Sequence, residues 1–316
     1  MRLVYSAILA MLIAAYSMPS HGNELDGQTQ VQSPSAVQIN GLRPCSASAD
    51  TTLHIDHNKP VIILTHGCLD SAARFKALGE VFAFQGQQAI CFTYNDRDSL
   101  LKSASELTDA LQQLNERQSN KKITVIAHSQ GGLIARKALT TQHAKTEWEE
   151  NPPPIDLVTI SAPFAGIEAA NHCGSKTWRT VSLGLVSSIC WLISGDKWFE
   201  ITDASEFIQN PGALLPNLQH HLKIDTDEQN SCRTFGPDNR CLESDFVFHL
   251  NEQHLKPIDQ PTEVKRIEIK AGHTEIVGDF QTPPKKLIAA LQQEGIMNKT
   301  TADKKEALKT LLSRLY

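Results

Sequence analysis

The chain has 316 residues, 41% hydrophobic and 21% charged, a globular balance that suits one large domain or two modest ones. Its formal net charge of -5 and the lack of any Lys/Arg block leave no electrostatic footprint for a nucleic-acid partner. No obligate protein partner is implied either.

The N-terminus differs in kind from the rest. Met1-Arg2 precedes an apolar run from Leu3 to Tyr16, and small and turn-forming residues follow from Ser17 to Gly22. This is the pattern of a signal peptide over residues 1–22, cleaved between about 17 and 22. The rival reading is a membrane anchor, but the run from Leu3 to Tyr16 is short for a span. Export, to the periplasm or out of the cell, makes disulfides permissible.

Residues 23–50 are rich in Gln, Ser, Asn and Pro without a period and read as an irregular lead-in, with the folded domain over 51–316. Val61 to Thr65 is a continuous apolar run, as expected of a strand buried on both faces of a parallel sheet. It ends in His66-Gly67-Cys68-Leu69-Asp70. A helix over Ser71–Phe84, a strand over Gln88–Tyr94 and a long helix over Ser99–Gln118 follow. The next strand, from Lys122, runs into Ala127-His128-Ser129-Gln130-Gly131-Gly132 and turns at once into a helix. Strand and helix alternate as in a mostly parallel α/β sheet with helices on both faces.

Ser129 sits at the apex of that strand-to-helix turn, the context of a nucleophile elbow. The residues two before and two after such a serine approach closely and must be small; Ala127 and Gly131 are. The following helix aims its N-terminus at the serine oxygen, so the Gln130 main-chain N–H can donate to an oxyanion. The segment resembles the α/β-hydrolases, and within them the secreted bacterial lipases and esterases that carry HSQGG. One departure is that Ala127 stands where the common pattern has glycine.

The resemblance implies further roles. The strand ending at His66-Gly67 would supply a second oxyanion donor from the backbone N–H of Cys68, with Leu69 beside the substrate. The strand Ile155–Ile160 and its Pro163 turn extend the likeness, with Phe164 lining the pocket or packing beneath the turn. Residues 171–217, which hold Trp178, Trp191 and Trp198, would form a cap or lid after the strand at 155–160, Trp191 facing an acyl chain. The other reading of this stretch is a buried helix pair without substrate contact. Asp245, in Ser244-Asp245-Phe246-Val247, would be the triad acid, with Asp203, Asp225, Asp227 and Asp238 as competitors. Of twelve histidines, His273 lies in a Gly-His loop past the last strand, Val264–Ile269, where these hydrolases place the catalytic base.

Seven cysteines leave at least one without a partner within the chain. Proximity suggests Cys232 with Cys241 and Cys173 with Cys190 as disulfide candidates. No CxxC pair argues for zinc, and the chemistry needs neither metal nor cofactor. Some related lipases hold a structural calcium, whose ligands do not map onto this sequence. Serine, acid and histidine follow the chain order of this fold. The expected activity is therefore that of an exported serine hydrolase acting on carboxylic esters, small or lipid, with transient contact to a lipid surface. Thioesterase and GPI-inositol-deacylase-like chemistry are the enzymatic alternatives, and a catalytically silent lipid- or protein-binding relative is the alternative of another class.

Overall fold

The computed structural model describes residues 35–68, 70–118, 121–143, 152–168, 170, 197, 199–279 and 281–316. The signal-peptide segment, Leu69, Trp191, the Cys173/Cys190 pair and most of the cap lie outside these residues. In chain order the strands are β1 (Ser35–Val37), β2 (Leu42–Arg43), β3 (Leu53–Ile55), β4 (Val61–Thr65), β5 (Gln88–Phe92), β6 (Ile123–His128), β7 (Ile155–Ile160), β8 (Leu218–Asp227), β9 (Cys232–Phe235), β10 (Cys241–Ser244) and β11 (Val264–Lys270). The helices used below are α1 (Lys76–Phe84), α2 (Leu100–Arg117), α3 (Gln130–Ala138), α4 (Lys285–Gln293) and α5 (Lys305–Leu315).

Seven strands form the central sheet in the order β11-β8-β7-β6-β4-β5-β2. All pair in parallel except β2, which runs antiparallel to β5 at one edge. Every residue of β4, β6 and β7 is buried, which explains why these strands read as unbroken apolar runs rather than alternating ones. On one face Ile63, Val125 and Leu157 pack against Leu107, Leu111 and Leu114 of α2 and Ile134 of α3. On the other, Leu64, Ile126 and Val158 meet Leu78 and Phe82 of α1 and Leu287 and Leu291 of α4, with α5 laid over them. Each face buries several large aliphatic side chains, at roughly 1.5–3 kcal/mol apiece.

The lead-in requires correction. Residues 35–50 are regular in part: β1 pairs antiparallel with β3, and β2 joins the central sheet. Ile39 and Leu42 are core residues, and Cys45 is bonded to Cys91 of β5. Strands of two and three residues are too short to show a period, so their pairing is visible only in the fold. The Cys232–Cys241 disulfide closes the β9–β10 hairpin, as proximity suggests, and among the described residues Cys68 is free.

Candidate active site

The parallel strands place their C-terminal ends along one edge, the side on which open α/β sheets carry their sites. Ser129 follows β6 directly. Its backbone stands at φ 53, ψ -126, a conformation that costs a non-glycine residue on the order of 1–3 kcal/mol. The turn is held by the Ser129 N–H donating to the Ile160 carbonyl (2.8 Å) and the Gly132 N–H to the Ser129 carbonyl (2.9 Å). Gly131 is required here on steric grounds. A Cβ at that position would lie 2.4 Å from the His66 carbonyl oxygen and 2.9 Å from that of Thr65. Ala127, by contrast, fits with its methyl group fully buried. On the C-terminal side of Ser129 the expected need for a small residue thus has its origin in the close approach of α3 to the end of β4.

His273 lies in the loop after β11. Its Nε2 is 3.0 Å from Ser129 Oγ, and its Nδ1 is 2.7 Å from Glu228 Oε1. With Nδ1–H donating to the carboxylate, Nε2 is left free to accept the serine proton. Glu228 is completely buried just past the end of β8. Its Oε1 also accepts from Ser161 Oγ (2.7 Å), with Thr226 Oγ1 2.6 Å from that hydroxyl. Its Oε2 accepts the Val247 N–H (2.8 Å) and the Phe248 N–H (3.3 Å). Such a set of donors satisfies a buried carboxylate that would otherwise be costly. Phe248 packs edge-on against the His273 ring at 4.9 Å.

It is thus the Glu228 carboxylate, and not that of Asp245, that faces the His273 imidazole. Asp245 accepts the Thr274 N–H (3.0 Å) and the Glu275 N–H (2.9 Å) through its carboxylate and pairs with Arg233, while its carbonyl accepts the His273 N–H (2.9 Å). It grips the histidine loop by its backbone, and Glu228 faces the imidazole. Glu228 lies next to Asp227, one of the competing carboxylates. The signal that could have found it is its position, at the carboxyl end of the strand neighbouring the one that feeds the histidine loop. A search confined to aspartates passes over it.

Two other histidines support the site without reaching Ser129. His128 Nε2–H donates to the His273 carbonyl (3.0 Å), and complete burial holds this imidazole neutral, well below its usual range. His66 stacks on Tyr94, whose hydroxyl donates to the His66 carbonyl (2.8 Å); burial lowers the His66 pKa as well. Together they fix the end of β4, so that Gly67 lies beside Ser129: a Cβ on it would be 3.1 Å from that of Ser129. Cys68 follows on the surface, its thiol 2.9 Å from the buried Lys197 ammonium. Gln130 opens α3 and is buried, its side-chain amide reaching the Asp96 carbonyl (3.4 Å).

Phe164 follows the turn after β7. It is buried in the core below the turn, edge-on to His221 at 6.2 Å and under the Lys223 ammonium. It also lines a small cavity with Leu133, Arg136, Phe207 and Ile258.

Comparison with known proteins agrees with this architecture. Residues 58–210 match the family described as "Putative serine esterase (DUF676)". The propeptide form of Bacillus licheniformis lipase BlEst2 aligns over 83% of this chain and 55% of its own, at 15% identity and a TM-score of 0.52. This chain thus spans little more than half of that longer one. The mature form of the same lipase aligns over 77% of this chain and 94% of its own, at 15% identity and a TM-score of 0.49. The monoacylglycerol lipase of Paleococcus ferrophilus does so over 75% and 95%, at 13% identity and a TM-score of 0.46. No curated protein matches the sequence. The fold is that of the α/β-hydrolases.

Proposed function

We propose that this chain, an α/β-hydrolase whose residues 58–210 match a serine esterase family, is an exported serine esterase with Ser129, His273 and Glu228 as its triad. The observation that carries this reading is the unbroken path from Ser129 Oγ through both nitrogens of His273 to Glu228, with links of 3.0 and 2.7 Å. Ser129 Oγ attacks the ester carbonyl while Nε2 of His273 takes its proton. Glu228 fixes the tautomer and stabilises the imidazolium. The backbone N–H groups of Gln130 and Cys68 hold the oxyanion, an arrangement commonly worth about 3–4 kcal/mol per donor. His273 then protonates the departing alcohol, and water attacking the acyl-enzyme repeats the sequence in reverse.

Substrates in this reading are carboxylic esters of lipids or of smaller acyl groups. Export is supported by the apolar N-terminal run and by the Cys45–Cys91 and Cys232–Cys241 disulfides, which persist in oxidising compartments. The test is hydrolysis of p-nitrophenyl esters from acetyl to palmitoyl by the mature chain and by Ser129→Ala, with fluorophosphonate labelling alongside. Turnover that falls at least about 10³-fold in Ser129→Ala, with label on Ser129 in the wild type, is the expected result. An unlabelled Ser129 together with no turnover on any ester rejects the assignment.

A further inference from the structure

The β9–β10 hairpin has little apolar anchorage. Its residues are exposed apart from the partly buried Cys232, including Phe235 and Leu242, and a two-stranded hairpin on its own is marginal in water. Beside the strand ladder, its ties include the Cys232–Cys241 disulfide, the Thr234 hydroxyl donating to Glu243 (3.1 Å), and Arg233. The Arg233 guanidinium spans from Glu243 (2.9 Å) to Asp245 (3.0 Å) and also donates to the Thr274 hydroxyl, next in the chain to His273. Asp245 is almost wholly buried, and its carboxylate lies so close to the histidine loop that a Cβ on Gly272 would be 2.1 Å from Oδ2. One buried carboxylate thus holds two of the loop's amides, alongside the His128 contact to the His273 carbonyl, and Arg233 is the cation that compensates it. Breaking one half of such a pair leaves an uncompensated buried charge beside three loop amides.

We propose that Arg233, presented by the disulfide-closed hairpin, is a positioning residue for the reaction: it straps Asp245 to Thr274 and so fixes the loop that holds His273 against Ser129. The hairpin disulfide is then a lever on turnover, acting through Arg233. This rests on the triad reading above.

The experiment uses the mature chain with Arg233→Ala, Arg233→Lys, Thr274→Val, and Cys232→Ser combined with Cys241→Ser. The readouts are kcat and KM on p-nitrophenyl butyrate and hydrogen exchange at the Thr274 and Glu275 amides. Arg233→Ala is expected to lower kcat about 10- to 100-fold with KM within about threefold, the signature of a displaced base rather than lost binding. Arg233→Lys, which keeps the charge, recovers part of the loss, and the two amides exchange faster in the alanine variant. The double serine variant lowers kcat in the wild-type background and adds little in the Arg233→Ala background. Should Arg233→Ala fail to fold, Thr274→Val removes only the hydroxyl acceptor and lowers kcat about threefold. An Arg233→Ala enzyme within about twofold of wild type, a Thr274→Val enzyme unchanged, or equal losses on removing the disulfide in both backgrounds overturns the strap. If Ser129 takes the fluorophosphonate label in such an enzyme, the strap alone is lost. If the wild type neither labels nor turns over, the triad reading goes and takes the strap with it.

Discussion

The two sides of the site are built differently. On the Ser129 side, β4, β6 and α3 press together so closely that main-chain sterics dictate residue type: glycine at 131, a strained backbone at 129, a buried methyl at 127. On the Glu228 side, groups from β8, the Ser161 turn, the 245–248 segment and the histidine loop meet through side chains and their hydrogen bonds. The first is local packing written into six consecutive residues. The second is a long-range polar network, in which Ser161 and His273, 112 positions apart, come within 3.0 Å. Close packing tolerates no added atom, whereas a network can lose one member and keep its shape.

The largest effect expected from breaking the first side is on stability. Gly131→Ala sets a methyl against two carbonyl oxygens of the β4 end and should destabilise the fold by about 2–3 kcal/mol, read as a lowered denaturation midpoint. Full stability in this variant would mean that α3 and β4 do not approach as described.

On the second side Ser161→Ala should cost only about 1 kcal/mol of stability, because Thr226 Oγ1 and two main-chain amides still donate to Glu228. It should lower kcat about tenfold, the worth of one hydrogen bond to a charged group, because Glu228 loses one of its donors. An equal fall in the denaturation midpoint and in kcat would make Ser161 a structural residue instead.

Acid response gives a further test of stability. Burial holds His128 well below its usual pKa, lowers His66, and lowers His221 to about 3. Each binds its proton more readily unfolded, at about 6.5, than folded, so stability is full above pH 6.5 and declines as pH falls below it. For His221 the decline continues to about pH 3, at up to about 1.4 kcal/mol per pH unit. His221→Asn should flatten this slope in acid denaturation curves, and an unchanged slope would show that the imidazole is not buried neutral.

The same difference decides what could be read in advance. The elbow was legible because its steric rule acts on neighbours in sequence, and β4 to β7 because burial on both faces leaves continuous apolar runs. His273 was legible from its place after the last long strand. Glu228 was not, because nothing near it in sequence distinguishes it from Asp225 or Asp227; only the pairing of β8 between β7 and β11 brings it to the imidazole. Asp245 stands out by a local pattern, and the structure sets its carboxylate on the Thr274 and Glu275 amides of the histidine loop rather than on the imidazole. Likewise β1, β2 and the Cys45–Cys91 bond exist only through partners far along the chain.

In the proposed triad Glu228, rather than Asp245, orients His273. The measurement that tests it is kcat for Glu228→Gln and Asp245→Asn, side by side on one ester, each checked for folded content. The geometry predicts a loss of about 10⁴-fold for Glu228→Gln, which strands the tautomer, and of about 10- to 100-fold for Asp245→Asn, which only loosens the loop. Near-wild-type turnover in Glu228→Gln beside a loss of about 10⁴-fold in Asp245→Asn would contradict it.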